Sequence, residues 1–204
     1  MIQLELQYNT GTEIVNVPTS WGDITFSQYV ELLKVEKESD LLFEDRLANR
    51  FKIFLGIDKE NFKSLKAFAI EQISTMLMFS FNFEELNEYY IVPEEFKNFD
   101  VGDQEWQKLI ECQIAMKPIY VSYPITPEMS AEEKEEVGIK ILMEMYEVGD
   151  IFVKAFTGKD ISNEKLTDVY WMPAFFLTKY YNFFLSSGMM MGMMQESSVI
   201  STKD

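Results

Sequence analysis

The sequence predicts a mainly α-helical chain, α+β in the broad sense, that opens with a small N-terminal β-hairpin. Three observations predict this. Residues 2–8 alternate apolar Ile2, Leu4, Leu6 and Tyr8 with polar Gln3, Glu5 and Gln7, the period of a half-buried strand. From Thr25 onward the apolar residues recur at three and four positions instead, the period of a helix. Helix punctuation then repeats along the chain, with hydroxyl residues before the apolar runs and single glycines after them.

The strand 2–8 is followed by Asn9-Thr10-Gly11-Thr12, which supplies turn chemistry, and by Glu13–Val17, which alternates again up to Pro18. Residues 1–18 therefore read as a hairpin, which needs helices or another sheet edge to lean on. Thr25 with Gln28 fits a capping box, and Tyr29, Leu32 and Leu33 follow at helical spacing. Trp21 and Ile24 precede that cap and can staple the incoming chain to the helix. Residues 41–55 form an amphipathic run with Leu47, Phe51, Phe54 and Leu55 on one side and Gly56 as its stop. A third helix is expected from about Glu60 through Phe79, completing a helical part at 25–79.

Residues 80–128 are expected to be irregular, with a short strand at Tyr89–Val92. Within them Trp106–Met116 reads as a short helix carrying Leu109, Ile110, Cys112 and Ile114. Residues 117–127, bounded by Pro118, Pro124 and Pro127, read as an extended loop or edge strand. Ser130 caps an acidic helix whose first turn carries Glu132 and Glu133, as the helix dipole favours, and Gly158 stops it. C-terminal helices fill 130–188, and 189–204 is expected to be a flexible methionine-rich tail. The whole is expected to be one domain, 1–204.

Composition narrows the function. The chain has 204 residues, enough for a sizeable core, and 34 Asp plus Glu against 18 Lys plus Arg, for a net charge of -16. Phosphate backbones and anionic lipid surfaces are bound by cations, so direct nucleic-acid binding is not expected. The sequence holds no histidine, which removes the commonest general base and transition-metal ligand. Its one cysteine, Cys112, cannot form an internal disulfide. The N-terminal residues lack the basic start and apolar run of a signal peptide, so synthesis in a cytoplasm is expected.

Candidate chemistry is sparse. Asp100, Asp103 and Glu105 carry oxygen ligands, but their spacing is not that of a calcium loop, and they read as a solvated acidic loop. Glu132, Glu133, Glu135 and Glu136 read as a solvated helix start. Ser20 and Ser27 have no histidine to activate them, and Cys112 sits in an apolar helical pattern. The expectation is a non-enzyme without cofactor or metal.

The segment Asp168–Glu196 stands apart, because Lys179 is its sole charge between those two acids. It is long enough for a membrane span, yet Pro173, Lys179, Asn182, Ser186 and Ser187 interrupt it. Built as a helix from Pro173, it places Phe176, Leu177, Tyr180, Phe183 and Phe184 on one broad face and Thr178, Lys179 and Asn182 on the opposite strip. A buried helix is expected, not a span. Met189, Met190, Met191, Met193 and Met194 are flexible, polarizable side chains suited to a surface that repacks against neighbours, and with Trp21 they are the expected partner contacts.

Three segments carry a resemblance. They are the hairpin leading into PTSWGDITFSQYVELLK at 18–34, the helix pair ending in FKIFLGIDKENFKSL at 51–65, and DVYWMPAFFLTKYYNFFLSSG at 168–188. In that order they resemble small virion and tail-assembly proteins of tailed bacteriophages, especially crAss-like phages. The resemblance implies a non-enzymatic structural component of the virion, a ring or cargo protein of tail or neck, made in the host cytoplasm. Its implied partners are other phage structural proteins, in multiple copies in a ring-like assembly. The alternatives are a tail-assembly chaperone absent from the mature particle and an acidic intracellular adaptor or inhibitor. No functional residues transfer with the resemblance.

Overall fold

In the computed structural model the chain has two strands at its start and is helical thereafter, which establishes the mainly α-helical class with a small hairpin. The structure describes residues 1–8, 11–37, 41–123 and 128–186. The chain divides into two compact units. The first is Met1–Ile91 with Ser162–Tyr170, and the second is Val92–Ile161 with the chain from Trp171 onward.

In the first unit β1 (Ile2–Gln7) pairs antiparallel with β2 (Thr12–Val17), setting Leu4 opposite Val15 and Leu6 opposite Glu13. Directly opposed residues share a face. Leu6, Val15 and Val17 are accordingly buried, while Ile14, opposite Glu5, is exposed.

Helix α1 (Phe26–Glu36) begins at the expected capping box. The Thr25 amide donates to Gln28 Oε1 at 2.9 Å, and the Gln28 amide donates to Thr25 Oγ1 at 3.3 Å. The returning segment 162–166 joins the same place. The Phe26 and Ser27 amides donate to the Glu164 and Ser162 carbonyls, and the Leu166 amide donates to the Ile24 carbonyl. A segment far downstream in the chain is thus stitched onto the start of α1 by main-chain bonds, which no side-chain pattern encodes.

Trp21 corrects an expectation. It is 1% exposed, ringed by Tyr29, Phe79 and Phe83 at centroid distances of 6.1, 5.2 and 5.5 Å. Its indole N–H donates to the Asn82 carbonyl at 3.2 Å. A large ring with a single donor finds both apolar walls and an acceptor inside the unit, so Trp21 is a core residue and offers nothing to a partner.

Helix α2 (Phe43–Leu55) buries Leu47, Phe51 and Phe54 and ends at Gly56, whose φ of 73° lies in the left-handed region that favours glycine. The single third helix expected from Glu60 to Phe79 is instead α3 (Lys59–Ser64), capped by Asp58, and α4 (Ala67–Met76). Leu65 breaks it. Its backbone is extended, and it bridges to Tyr8 beside the hairpin, a pairing a helical residue cannot make. The chain then tightens into 3-10 turns at Leu77–Phe81 and Phe83–Tyr89. No strand forms at Tyr89–Val92, where Tyr90 and Ile91 are exposed and have no ladder to join.

At the centre of the first unit lies Arg50, a cation with no exposure to water. Its Nε donates to Ser80 Oγ at 2.9 Å, and one terminal nitrogen donates to Glu36 Oε1 at 2.7 Å and to the Ser80 carbonyl at 3.2 Å. The other terminal nitrogen donates to the Arg46 carbonyl, and the guanidinium lies 3.6 Å over the Phe81 ring. Arg46 donates to the second oxygen of Glu36 at 2.9 Å. One carboxylate therefore ties α1 to two arginines of α2, while Arg50 reaches on to the 3-10 turn.

The second unit contains α5 (Glu94–Lys97), α6 (Trp106–Ser122), α7 (Ala131–Glu147), α8 (Gly149–Thr157) and α10 (Trp171–Ser186); the short α9 (Leu166–Val169) belongs to the first. Phe99 meets Phe156, Phe175 and Phe176 edge-on at 5.5, 6.3 and 5.1 Å, and Phe152 meets Tyr180 at 5.1 Å. These rings are the core of the unit. On α10, Phe176, Leu177 and Tyr180 are buried while Thr178 and Asn182 are exposed, matching the expected broad apolar face and polar strip. The helix starts at Trp171, not at Pro173. Proline is tolerated there because the first four amides of a helix have no internal acceptor to lose.

Two further expectations are corrected in this unit. The stretch read as an extended segment is helical as far as Ser122, so α6 passes through Pro118. The missing amide of Pro118 deprives the Ile114 carbonyl of its partner, but both residues face water, which can replace it. The helix stops only at Tyr123, where Pro124 disfavours helical backbone in the residue before it. The single acidic helix is likewise two. Ser130 does cap α7, through a box with Glu133, but the chain breaks at Val148 before α8. Gly149 begins α8 and lets α10 approach closely, since a Cβ there would stand 2.5 Å from the Pro173 Cβ of α10.

Two outcomes follow for stability. Arg50→Ala leaves Glu36 half its pairing and takes from the buried Ser80 carbonyl its Arg50 donor, and is expected to cost about 3–5 kcal/mol, read as a lowered urea midpoint. Arg46→Ala, at a partly exposed site, is expected to cost far less. Gly149→Ala places a methyl against a rigid ring and is expected to destabilise the second unit by about 1–3 kcal/mol, seen in the same titration.

Candidate functional site

Helix α6 has two apolar faces. At about 100° per residue, Leu109, Cys112, Met116 and Ile119 fall within one sector of about 80°, and all four are buried. They form the face that packs among α7, α8 and α10, where the Tyr180 hydroxyl donates to the Leu109 carbonyl at 3.4 Å. At the far end the Tyr123 hydroxyl donates to Glu144 of α7 at 3.1 Å. Both ends of α6 are thereby fixed within the unit.

The second face points to water. Trp106, Ile110, Ile114 and Val121 lie within another sector of about 80°, roughly 140° from the first. They are 55%, 38%, 66% and 59% exposed. The stripe runs about 22 Å along the helix at 1.5 Å per residue. Lys117 crosses it, its methylenes able to lie along the apolar surface while the ammonium reaches water. Glu105, Gln107 and Glu111 border it. Single exposed apolar residues are ordinary, but four in a row on one rigid helix form a contiguous patch of the kind that marks a protein interface. An indole at one end is a common anchor of such surfaces.

The chain matches no protein-family model, no curated protein and no solved structure. The site is therefore read from its own geometry.

The residues singled out from sequence are placed as follows. Trp21 is in the core of the first unit. Met189, Met190, Met191, Met193 and Met194 lie outside the described residues. Asp100 accepts the Gly102 amide at 2.8 Å and so caps the turn Val101–Asp103. Among the described residues no three His, Cys, Asp or Glu side chains come together in a way that would hold a metal ion, and no helix is long and apolar enough to cross a membrane. Glu133 spends its carboxylate on the Ser130 amide at 2.7 Å, which holds its pKa below the usual range.

The α6 stripe is what sequence reading missed. Its signal was present as Trp106, Ile110 and Ile114 at four-residue spacing, distinct from Leu109, Cys112 and Met116. Ending the helix at Met116 removed Val121 and merged the two faces into one undifferentiated apolar run.

Cys112 reports on the inner face. Burial, with the Glu111 carboxylate adding to it, pushes its thiol from 9.0 up to about 12. The native protein is expected to leave Cys112 unmodified by a thiol reagent at pH 8, and urea-unfolded protein to react fully. The folded pKa is the higher one, so this group's contribution to stability is complete below pH 9.0 and falls away as pH rises toward 12. Rapid native modification would put the inner face of α6 in water.

Proposed function

We propose that this chain is a non-enzymatic structural component of a tailed-phage particle that docks onto a neighbouring protein through the outer face of α6. The observation that carries the docking is the exposed Trp106–Val121 stripe. The phage setting rests on the resemblance of residues 18–34, 51–65 and 168–188. A net charge of -16 supports an electropositive or neutral neighbour over a second copy of the chain.

Association through such a stripe draws most of its free energy from a few central anchors, here Trp106 and Ile114. Surface substitutions away from packed features change stability by roughly 0.5 kcal/mol or less, so Trp106→Ala and Ile114→Glu are expected to fold normally. Quantitative mass spectrometry of purified virions is the test. The wild-type chain is expected in several copies per particle, and the Trp106→Ala, Ile114→Glu double variant is expected to be depleted at least tenfold, corresponding to about 1.4 kcal/mol or more of lost docking. A wild-type chain abundant in infected cells but missing from virions would replace the resident component with an assembly chaperone. Undiminished incorporation of the variant would remove α6 as the docking face.

A further inference from the structure

Residues 162–170 belong to the first unit, yet the residues flanking them, Ile161 and Trp171, belong to the second. Both flanking residues are buried, and the Trp171 ring meets Phe96 of the second unit at 5.2 Å. The segment is thus held at each end by a residue of the other unit.

We propose that residues 162–170 form a strap that locks the two units into a single cooperative unfolding step. The first unit stays closed only while the second holds both ends of the strap.

The strap completes the first unit in three ways. The amides of Phe26 and Ser27 open α1, where a helix offers its own donors no acceptor, and the Glu164 and Ser162 carbonyls take them at 3.0 Å. The Ile24 carbonyl receives the Leu166 amide at 2.9 Å, and Thr25 bridges to Lys165. Leu166 and Val169 have no exposure to water, and Tyr170 meets Tyr29 of α1 edge-on at 5.9 Å. Lifting the strap strips this apolar cover and orphans two amides at once. Folded chains are stable by a small difference between large opposing terms, so the first unit cannot lose so much of its interior and remain closed.

Tethering explains why the second unit controls the strap. While that unit is folded, the strap is offered to α1 at a high effective concentration. When it unfolds, the strap hangs from a flexible loop as long as Val92–Ile161, and seating it must overcome the closure entropy of that loop. Coupling free energies are reciprocal, so a strap released from the first unit weakens the second by the same amount.

Urea titration of the full chain carrying Ala48→Cys tests the strap. Ala48 is buried in α2 of the first unit, and Cys112 is buried in α6 of the second. A pulse of thiol reagent at each urea concentration, followed by peptide mass spectrometry, reads the opening of each unit separately. The two midpoints are expected to coincide. Phe152→Leu, a loss of volume in the core of the second unit, is expected to lower both by the same amount. Flexible Gly-Ser linkers of about ten residues, inserted at Ile161–Ser162 and at Tyr170–Trp171, are expected to separate the midpoints, the first unit opening at lower urea. Separate midpoints in the chain without linkers, or a Phe152→Leu shift confined to Cys112, overturn the proposal. Midpoints that still coincide with the linkers in place overturn it too, because the units are then locked by something other than the strap.

Discussion

The first unit depends on one buried cation. Arg50 is sealed from water, and a guanidinium in that position is tolerable only if its donors are met. They are met by three different pieces of chain: Glu36 at the end of α1, the Arg46 carbonyl within α2, and Ser80 in the 3-10 turn. The bonds fix where α1 ends relative to α2 and explain why the chain tightens after Met76. The Ser80 hydroxyl accepts from Arg50 Nε while donating to the Leu77 carbonyl at 2.7 Å, an arrangement a 3-10 turn provides. Phe81 then lies against the cation, and Phe43 stacks on Phe81 at 5.8 Å. An ionic group thus organises an aromatic neighbourhood. A purely apolar core would allow the helices to slide; this one has a register.

The core described for the second unit is specified by shape. Its interior is a set of edge-to-face rings from α8, α10 and the loop bearing Phe99. Such pairs are directional but individually weak. What fixes α8 against α10 is steric, at the point where Gly149 admits the Pro173 ring. The two residues explain each other. Proline sits in the first turn of α10, where its missing amide costs nothing, and glycine sits where α8 begins, at a break in an otherwise continuous helical pattern.

The parts of the fold legible in the sequence were those set by local chemistry. The Thr25–Gln28 and Ser130–Glu133 boxes, the glycine stops at Gly56 and Gly158 and the alternation in the hairpin depend on residues within a few positions of one another. The parts that were not legible depend on distant partners. Leu65 looks helical until Tyr8 is brought beside it. The returning segment 162–166 joins α1 through main-chain bonds, which side-chain spacing does not announce. Pro118 looks like a boundary until its position on the water-facing side of α6 is known. Trp21 has the composition of an interface residue, and only the placement of Phe79, Asn82 and Phe83 around it reveals a core. The outer face of α6 was hidden for the same reason: its polarity pattern cannot be judged until the helix is known to continue past Met116.

That face poses a problem of solubility as much as of binding. A 22 Å apolar stripe on a rigid helix offers two copies of the chain a self-complementary contact, since like faces can pack antiparallel. Charge answers this without hiding the stripe. A surplus of 16 negative charges in a chain of 204 residues repels every second copy at the distance where apolar attraction would begin to act, while leaving neutral or basic surfaces free to approach. The uncharged stretch between Lys179 and Glu196 is the exception to that acidity. The same asymmetry makes the face selective, because an incoming neighbour must offer apolar anchors without the negative charge that would keep it away.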